Sequence, residues 1–187
     1  MIFRAVEDTD LIRRAGRGDV EAFNLLVSRW EKRVFNYLLR ILGNREDALD
    51  ISQDVFLKAY QNLRKLDDPA RFASWLFRIA HNEAHSLFRK RKPEAAEEPR
   101  GEASGMAVRA GGTGVFPVEL ALAVSTALER LSGEQREAVI LKIYQGFKFE
   151  EMAEILECPV STVKSRLYTA LELLKADLAP NRTRGMI

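Results

Sequence analysis

Two histidines, His81 and His85, stand four residues apart in a helix-like run, a spacing that places both imidazoles on one side of a helix where they can share a metal ion. The residue after His81 is Asn82 rather than the Glu of the zinc-protease pattern, and no third ligand suggests itself nearby. The pair on its own therefore predicts neither a metal site nor a metal-dependent hydrolase, and nothing in the sequence calls for a cofactor. A larger set surrounds it. Arg71, Ser74, Arg78, Asn82, His85 and Arg89 recur every three or four residues and so form one continuous, cationic, hydrogen-bonding face. Asn82 carries both the donor and the acceptor needed to read a base. The preceding loop, 64–71 with Leu66 in it, has room to receive an unstacked one. Unstacking costs on the order of a few kcal/mol, so a site that captures flipped bases favours strand opening.

A second chemistry-bearing stretch lies near the C-terminus. Ser161-Thr162-Val163-Lys164-Ser165-Arg166-Leu167-Tyr168-Thr169 holds no acidic residue, although acids flank it. Val163, Leu167 and Leu171 are spaced to face a core, which leaves Lys164, Ser165, Tyr168 and Thr169 outward. A short helix over about Phe149 to Leu156, a turn at Glu157-Cys158-Pro159-Val160 and a longer helix to Leu178 give the helix-turn-helix order. In such a unit the second helix enters the major groove and its first turns reach base edges. A bidentate base contact contributes about 1–3 kcal/mol of discrimination, whereas phosphate contacts only position. Thr162 and Lys164 open the reading surface, with Lys164 as reader or grip and Arg166 as phosphate anchor. A third polar face, Asp47, Asp50, Gln53 and Asp54 beside an exposed Phe56, reads by its chemistry alone as solvated.

The elements that must position these residues are all helical, because apolar residues recur at three- and four-residue spacing with no alternating strand pattern. A short helix from Asp8 or Thr9 to Gly16 precedes a long one capped by Asp19, whose stripe is Phe23, Leu26, Val27, Trp30, Val34, Leu38 and Ile41. A third helix runs from Arg45 to Leu63 and a fourth from Asp68-Pro69 to the basic run Arg89-Lys90-Arg91-Lys92. Four helices over residues 1–92 share one core. Residues 93–117, with Gly101, Gly105, Gly111, Gly112 and Gly114, lack large apolar residues and read as a flexible linker. Residues 118–187 form a second helical domain. Its first helix buries Leu120, Val124, Leu128 and Leu131, and Ser132-Gly133-Glu134-Gln135 is a capping box for the next.

The 187 residues are 47% hydrophobic with a net charge of +2, enough for two small cores and too little charge for bulk attraction to phosphates. Binding to nucleic acid must use locally basic faces. No apolar run approaches the roughly 20 residues of a membrane-spanning helix. Arg4, Glu7, Asp8 and Asp10 stand where a secretory signal needs an apolar core, which predicts a cytoplasmic protein without membrane insertion. The single cysteine, Cys158, cannot pair within the chain and reads as a small turn or core residue.

Taken together the residues resemble the sigma-70 family, specifically its extracytoplasmic-function (ECF) members, over nearly the whole chain outside the linker. Phe72-Ala73-Ser74-Trp75-Leu76-Phe77-Arg78-Ile79-Ala80-His81-Asn82 resembles the family signature whose helix and preceding loop recognise and melt the minus-ten element. Asp50-Ile51-Ser52-Gln53-Asp54-Val55-Phe56 is similar to the segment that binds the polymerase β′ clamp coiled coil. Cys158 to Leu167 is similar to the helix that reads the minus-thirty-five element. Thr169, Ser161 and Leu66 stand where family members often carry a basic residue, Gly and Phe. The resemblance implies two all-α domains, region 2 and region 4. It also implies promoter DNA, the polymerase core through its β′ clamp and β flap, and an anti-sigma factor as partners, with no enzymatic activity. A helix-turn-helix regulator acting without polymerase is the rival reading.

Overall fold

The computed structural model describes residues 7–91 and 118–178. The linker expected at 93–117 lies outside them, and so does the side chain of Leu120. Every described element is a helix or a turn. Helix α1 (Asp8–Gly16) carries Asp8 and Asp10 in its first turn and Arg13 and Arg14 in its last, complementing the helix dipole at both ends. Asp19 caps α2 (Val20–Leu42) by accepting from the Ala22 amide at 3.0 Å. That helix stops at Gly43, whose left-handed φ of 69° lets its N–H reach the Leu39 carbonyl at 3.0 Å. Asn44 then caps α3 (Arg45–Asn62), accepting from the Glu46 and Asp47 amides at 2.8 and 3.1 Å. A turn capped by Asp68 leads into α4 (Phe72–Arg91). Leu11, Leu26, Val34, Leu38, Val55, Phe72 and Leu76 fill the space between these four helices.

The second module opens with α5 (Val118–Glu129). The expected capping box is present: the Gln135 amide donates to Ser132 Oγ at 3.3 Å, and the Ser132 amide to Gln135 Oε1 at 3.1 Å. Helix α6 (Gly133–Val139) widens into a single π-turn, Ile140–Tyr144, closed by the Gln145 amide on the Ile140 carbonyl at 3.1 Å. Helix α7 (Phe149–Ile155), a tight turn and α8 (Val160–Leu178) complete the helix-turn-helix. Glu157 in that turn has φ 51°, a left-handed conformation that a non-glycine residue adopts only when its surroundings hold it there.

Three expectations need correction. Leu171 is 37% exposed, and Ala170 takes its place in the core. At 100° per residue, Ala170 lies within about 20° of Val163 around the helix, while Leu171 has drifted by about 80°. Phe56 is half-buried against the core rather than exposed, while Leu49, Leu57 and Tyr60 of the same helix are exposed. Ser74, read as outward-facing, is buried.

The reason for the last change is a contact between the modules, whose relative orientation the sequence leaves open. The two modules are docked, and their buried residues form one continuous cluster. Phe77 of α4 meets Phe147 edge-to-face with ring centroids 5.0 Å apart. Arg33 of α2 donates to the Gln145 carbonyl at 3.0 Å, and Arg40 stacks over the Tyr144 ring at 4.4 Å. Helix α7 lies along α4, so it covers the side of α4 that carries Ser74.

Candidate nucleic-acid interface

Helix α8 is fixed from below by Val163, Leu167 and Ala170, all buried. With that side anchored, Lys164, Ser165, Tyr168 and Thr169 project to solvent as one surface, and Tyr168 is 55% exposed. Phe149 of α7 braces it: its ring lies 6.4 Å from that of Tyr168 and 5.3 Å from the Lys164 ammonium. Thr162 is half-buried in the first turn, where its amide donates to the Pro159 carbonyl at 2.9 Å. Arg166 differs from the rest. It pairs with Glu134 at 2.8 Å and lies against Cys158 Sγ at 3.7 Å, leaving 24% of its side chain exposed.

The stripe on α4 forms as its spacing requires, but much of it is engaged by carboxylates of the second module. Arg71 pairs with Glu154 at 2.6 Å, and the Ser74 hydroxyl lies 3.3 Å from the same carboxylate. Arg78 donates to Glu157 at 2.6 Å, and that hydrogen bond, helped by one from Asn82, holds the Glu157 carboxyl below its usual range. Leu66 packs partly on the core and lines a cleft of about 500 Å³ between the loop before α4 and the Ala153–Glu157 end of α7. Arg89 is exposed beyond the covered part.

His81 and His85 both turn to Glu137 of α6. His81 Nδ1 is 2.7 Å from Oε1 and His85 Nε2 is 3.2 Å from Oε2, while the buried Tyr37 hydroxyl also donates to Oε1. Burial pushes the Glu137 carboxyl up, but hydrogen bonds from both histidines, the attraction of His81 and the Tyr37 hydrogen bond outweigh it and bring it to about 2. The hydrogen bond between His85 and Glu137 raises His85, against the opposing effect of burial, and burial beside Glu137 raises Tyr37 well above its ordinary value.

On the other side of the first module, α2 and α3 enclose an apolar groove of about 890 Å³ lined by Phe23, Val27, Phe35, Leu49, Phe56 and Leu57, with Gln53 at its edge. Asp50 and Asp54 are exposed on the same helix. Asp47, by contrast, is taken up by Arg91 through two contacts of 2.7 Å.

The sequence reading brought together the α8 surface and the α4 stripe but missed Tyr37, Glu137, Glu154 and Glu157 as the stripe's partners. One signal was available. Glu137 heads the run Glu137-Ala138-Val139-Ile140-Leu141, every member of which is buried, and a carboxylate in such a run needs a partner.

Comparison with known proteins agrees with this geometry. The family model for sigma-70 region 2 matches residues 26–94, and that for sigma-70 region 4 matches residues 121–174. An RNA polymerase sigma-H factor of Pseudomonas aeruginosa is 31% identical over 93% of this chain and 95% of its own length. An ECF RNA polymerase sigma-E factor of Haemophilus influenzae is 33% identical over 92% of this chain and 96% of its own. Among solved structures, the sigma factor RpoE in complex with the anti-sigma factor NepR from Bartonella quintana superposes with a TM-score of 0.71. It is 26% identical and covers 86% of this chain and 98% of that one. With its stripe-bearing helical module and its helix-turn-helix module in the family's order, the chain belongs to the ECF branch of the sigma-70 family of RNA polymerase sigma factors.

Proposed function

We propose that the chain directs initiation by contacting promoter DNA at two points. Lys164, Ser165, Tyr168 and Thr169 read the upstream duplex through the major groove, with Thr162 and Arg166 supporting the helix on the backbone. Leu66, Arg71, Arg78, Asn82, His85 and Arg89 hold the unpaired strand downstream. The observation that carries this reading is the bare polar surface of α8 in the second module, over a fully buried apolar side, together with the separate cationic stripe on α4 of the first. The apolar groove between α2 and α3, with Asp50, Gln53, Asp54 and Phe56 on or beside it, is the surface for the polymerase β′ clamp, and the second module meets the β flap. A regulator acting without polymerase has no use for that groove.

In this role the protein performs no chemistry of its own and works in the cytoplasm, where its polymerase is; no helix among the described residues is long and apolar enough to cross a membrane. The docked arrangement is its resting form, since Glu154 and Glu157 occupy Arg71 and Arg78. Its likeness to a sigma factor solved with an anti-sigma factor supports control by such a partner. Run-off transcription with core polymerase on genomic fragments tests the proposal. Asn82→Ala is expected to bind upstream duplex normally and to open promoters poorly, with rescue on a pre-melted template. Failure of that rescue removes the melting role, and failure of the wild-type chain to confer start sites removes the function.

A further inference from the structure

The promoter-reading role does not account for Glu137. This carboxylate is only 2% exposed, at the seam between the modules, and faces two imidazoles and a phenol. His81 and His85 come from α4 and Glu137 from α6, so the three ligand-type groups exist as a set only when the modules are docked. His81 Nδ1, His85 Nε2 and the Glu137 carboxylate all lie within 4.8 Å of one another, and the two imidazole centroids are 4.2 Å apart. Metal–ligand bonds of about 2.0–2.2 Å in a tetrahedron place ligand atoms about 3.4 Å apart, so small side-chain rotations bring the three to that spacing.

The chemistry of the set is selective. Two imidazoles and one carboxylate suit zinc and its transition-metal neighbours, whereas calcium and magnesium ask for oxygen ligands. Three protein ligands leave a fourth position for water. An entering ion takes the lone pairs of the two imidazole nitrogens that face the carboxylate, each ring keeping one proton on its other nitrogen, and the ion's charge compensates the buried Glu137 carboxylate. Tyr37, donating to Oε1, supplies the outer hydrogen bond that orients a ligating carboxylate. Cys158 is not a member of the set; its sulfur is occupied by Arg166.

We propose that His81, His85 and Glu137 form a site for a zinc-like divalent ion that bridges the two modules and holds the chain closed. Because Glu137 comes from the other module than the two histidines, the ion binds the docked form more tightly than the open one. Free metal at a hundred times its dissociation constant for the docked form shifts the closed-to-open ratio by up to about 100-fold. That closure silences the protein rests on the promoter-reading role proposed for the α4 stripe.

The test is calorimetric titration of the full chain with Zn²⁺, with metal analysis after dialysis. One equivalent is expected, with affinity at least about tenfold weaker in H85A and in E137Q. His85 is 42% exposed, so its truncation spares the fold even where E137Q loosens the seam. C158S is expected to bind as the wild type does. Absence of stoichiometric binding, binding unaffected by both H85A and E137Q, or loss in C158S overturns the site. In run-off transcription, zinc is expected to silence the wild type and to leave E137Q responsive to its promoter. Zinc that binds without lowering wild-type initiation overturns the holding role. One bound equivalent in a chain that never confers start sites, with or without metal, supports the site and removes the promoter reading instead.

Discussion

Replacing Phe77 and Phe147 by leucine, singly and together, tests whether the two modules dock in solution. The rings meet edge-to-face at 5.0 Å, each almost wholly buried, with Phe77 also 5.2 Å from the Tyr37 ring. Leucine keeps most of the apolar area, so each single change costs about 1–1.5 kcal/mol, mainly from imperfect repacking. An aromatic pair is worth about 0.5–1.5 kcal/mol beyond the area it buries. That pair is lost in either single variant and cannot be lost twice. The double variant is therefore expected to be about 1 kcal/mol less destabilised than the sum of the singles. Urea denaturation followed by helix content gives the three values, with the denaturant slope as a check that the unfolded state is unchanged. Sites without a shared contact add to within about 0.3–0.5 kcal/mol. Additivity within that margin would refute the docking, since separate modules have no route by which these two positions could couple.

Tyr37→Phe removes a buried hydrogen bond to a charged carboxylate, an interaction of about 1.5–3 kcal/mol, and is expected to lower the melting temperature by about 5–10 °C. An unchanged melting curve would show that Tyr37 does not brace Glu137. Asn44→Ala deletes the cap of α3 and is expected to cost about 1 kcal/mol in urea denaturation while leaving transcription unaltered under stabilising conditions. Lys164→Ala is expected to weaken initiation by about 5- to 150-fold, the loss of about 1–3 kcal/mol of base discrimination, with core polymerase retained in pull-down. Equal loss of both activities would make Lys164 structural.

Local structure was legible in the sequence because its determinants are local. Asp19 and the Ser132–Gln135 box mark helix starts by the hydrogen bonds they can make, and the structure uses both as expected. The α8 surface was legible for a similar reason: periodicity leaves Lys164, Ser165, Tyr168 and Thr169 outside once Val163 and Leu167 are inside. What stayed hidden depends on contacts between distant segments. Glu137 is 52 residues from His85 in the chain, and Glu157 is 79 from Arg78, and no pattern within a single helix reports such pairs. The π-turn at Ile140–Tyr144 was equally unreadable, since its residues suit an ordinary α-helix. Its effect is to rotate the end of that helix, where Tyr144 and Gln145 meet Arg40 and Arg33 of α2.

The account stands on the chain being closed when free and open when it works. Energy transfer between dyes at R13C and E172C in a C158S background, both on exposed sites, follows that change directly. Transfer is expected to be high in the isolated chain and to fall when core polymerase and promoter are added, as Glu154 and Glu157 leave Arg71 and Arg78. The same high transfer in an initiating complex would mean that the stripe stays covered while promoters open, and would contradict the account.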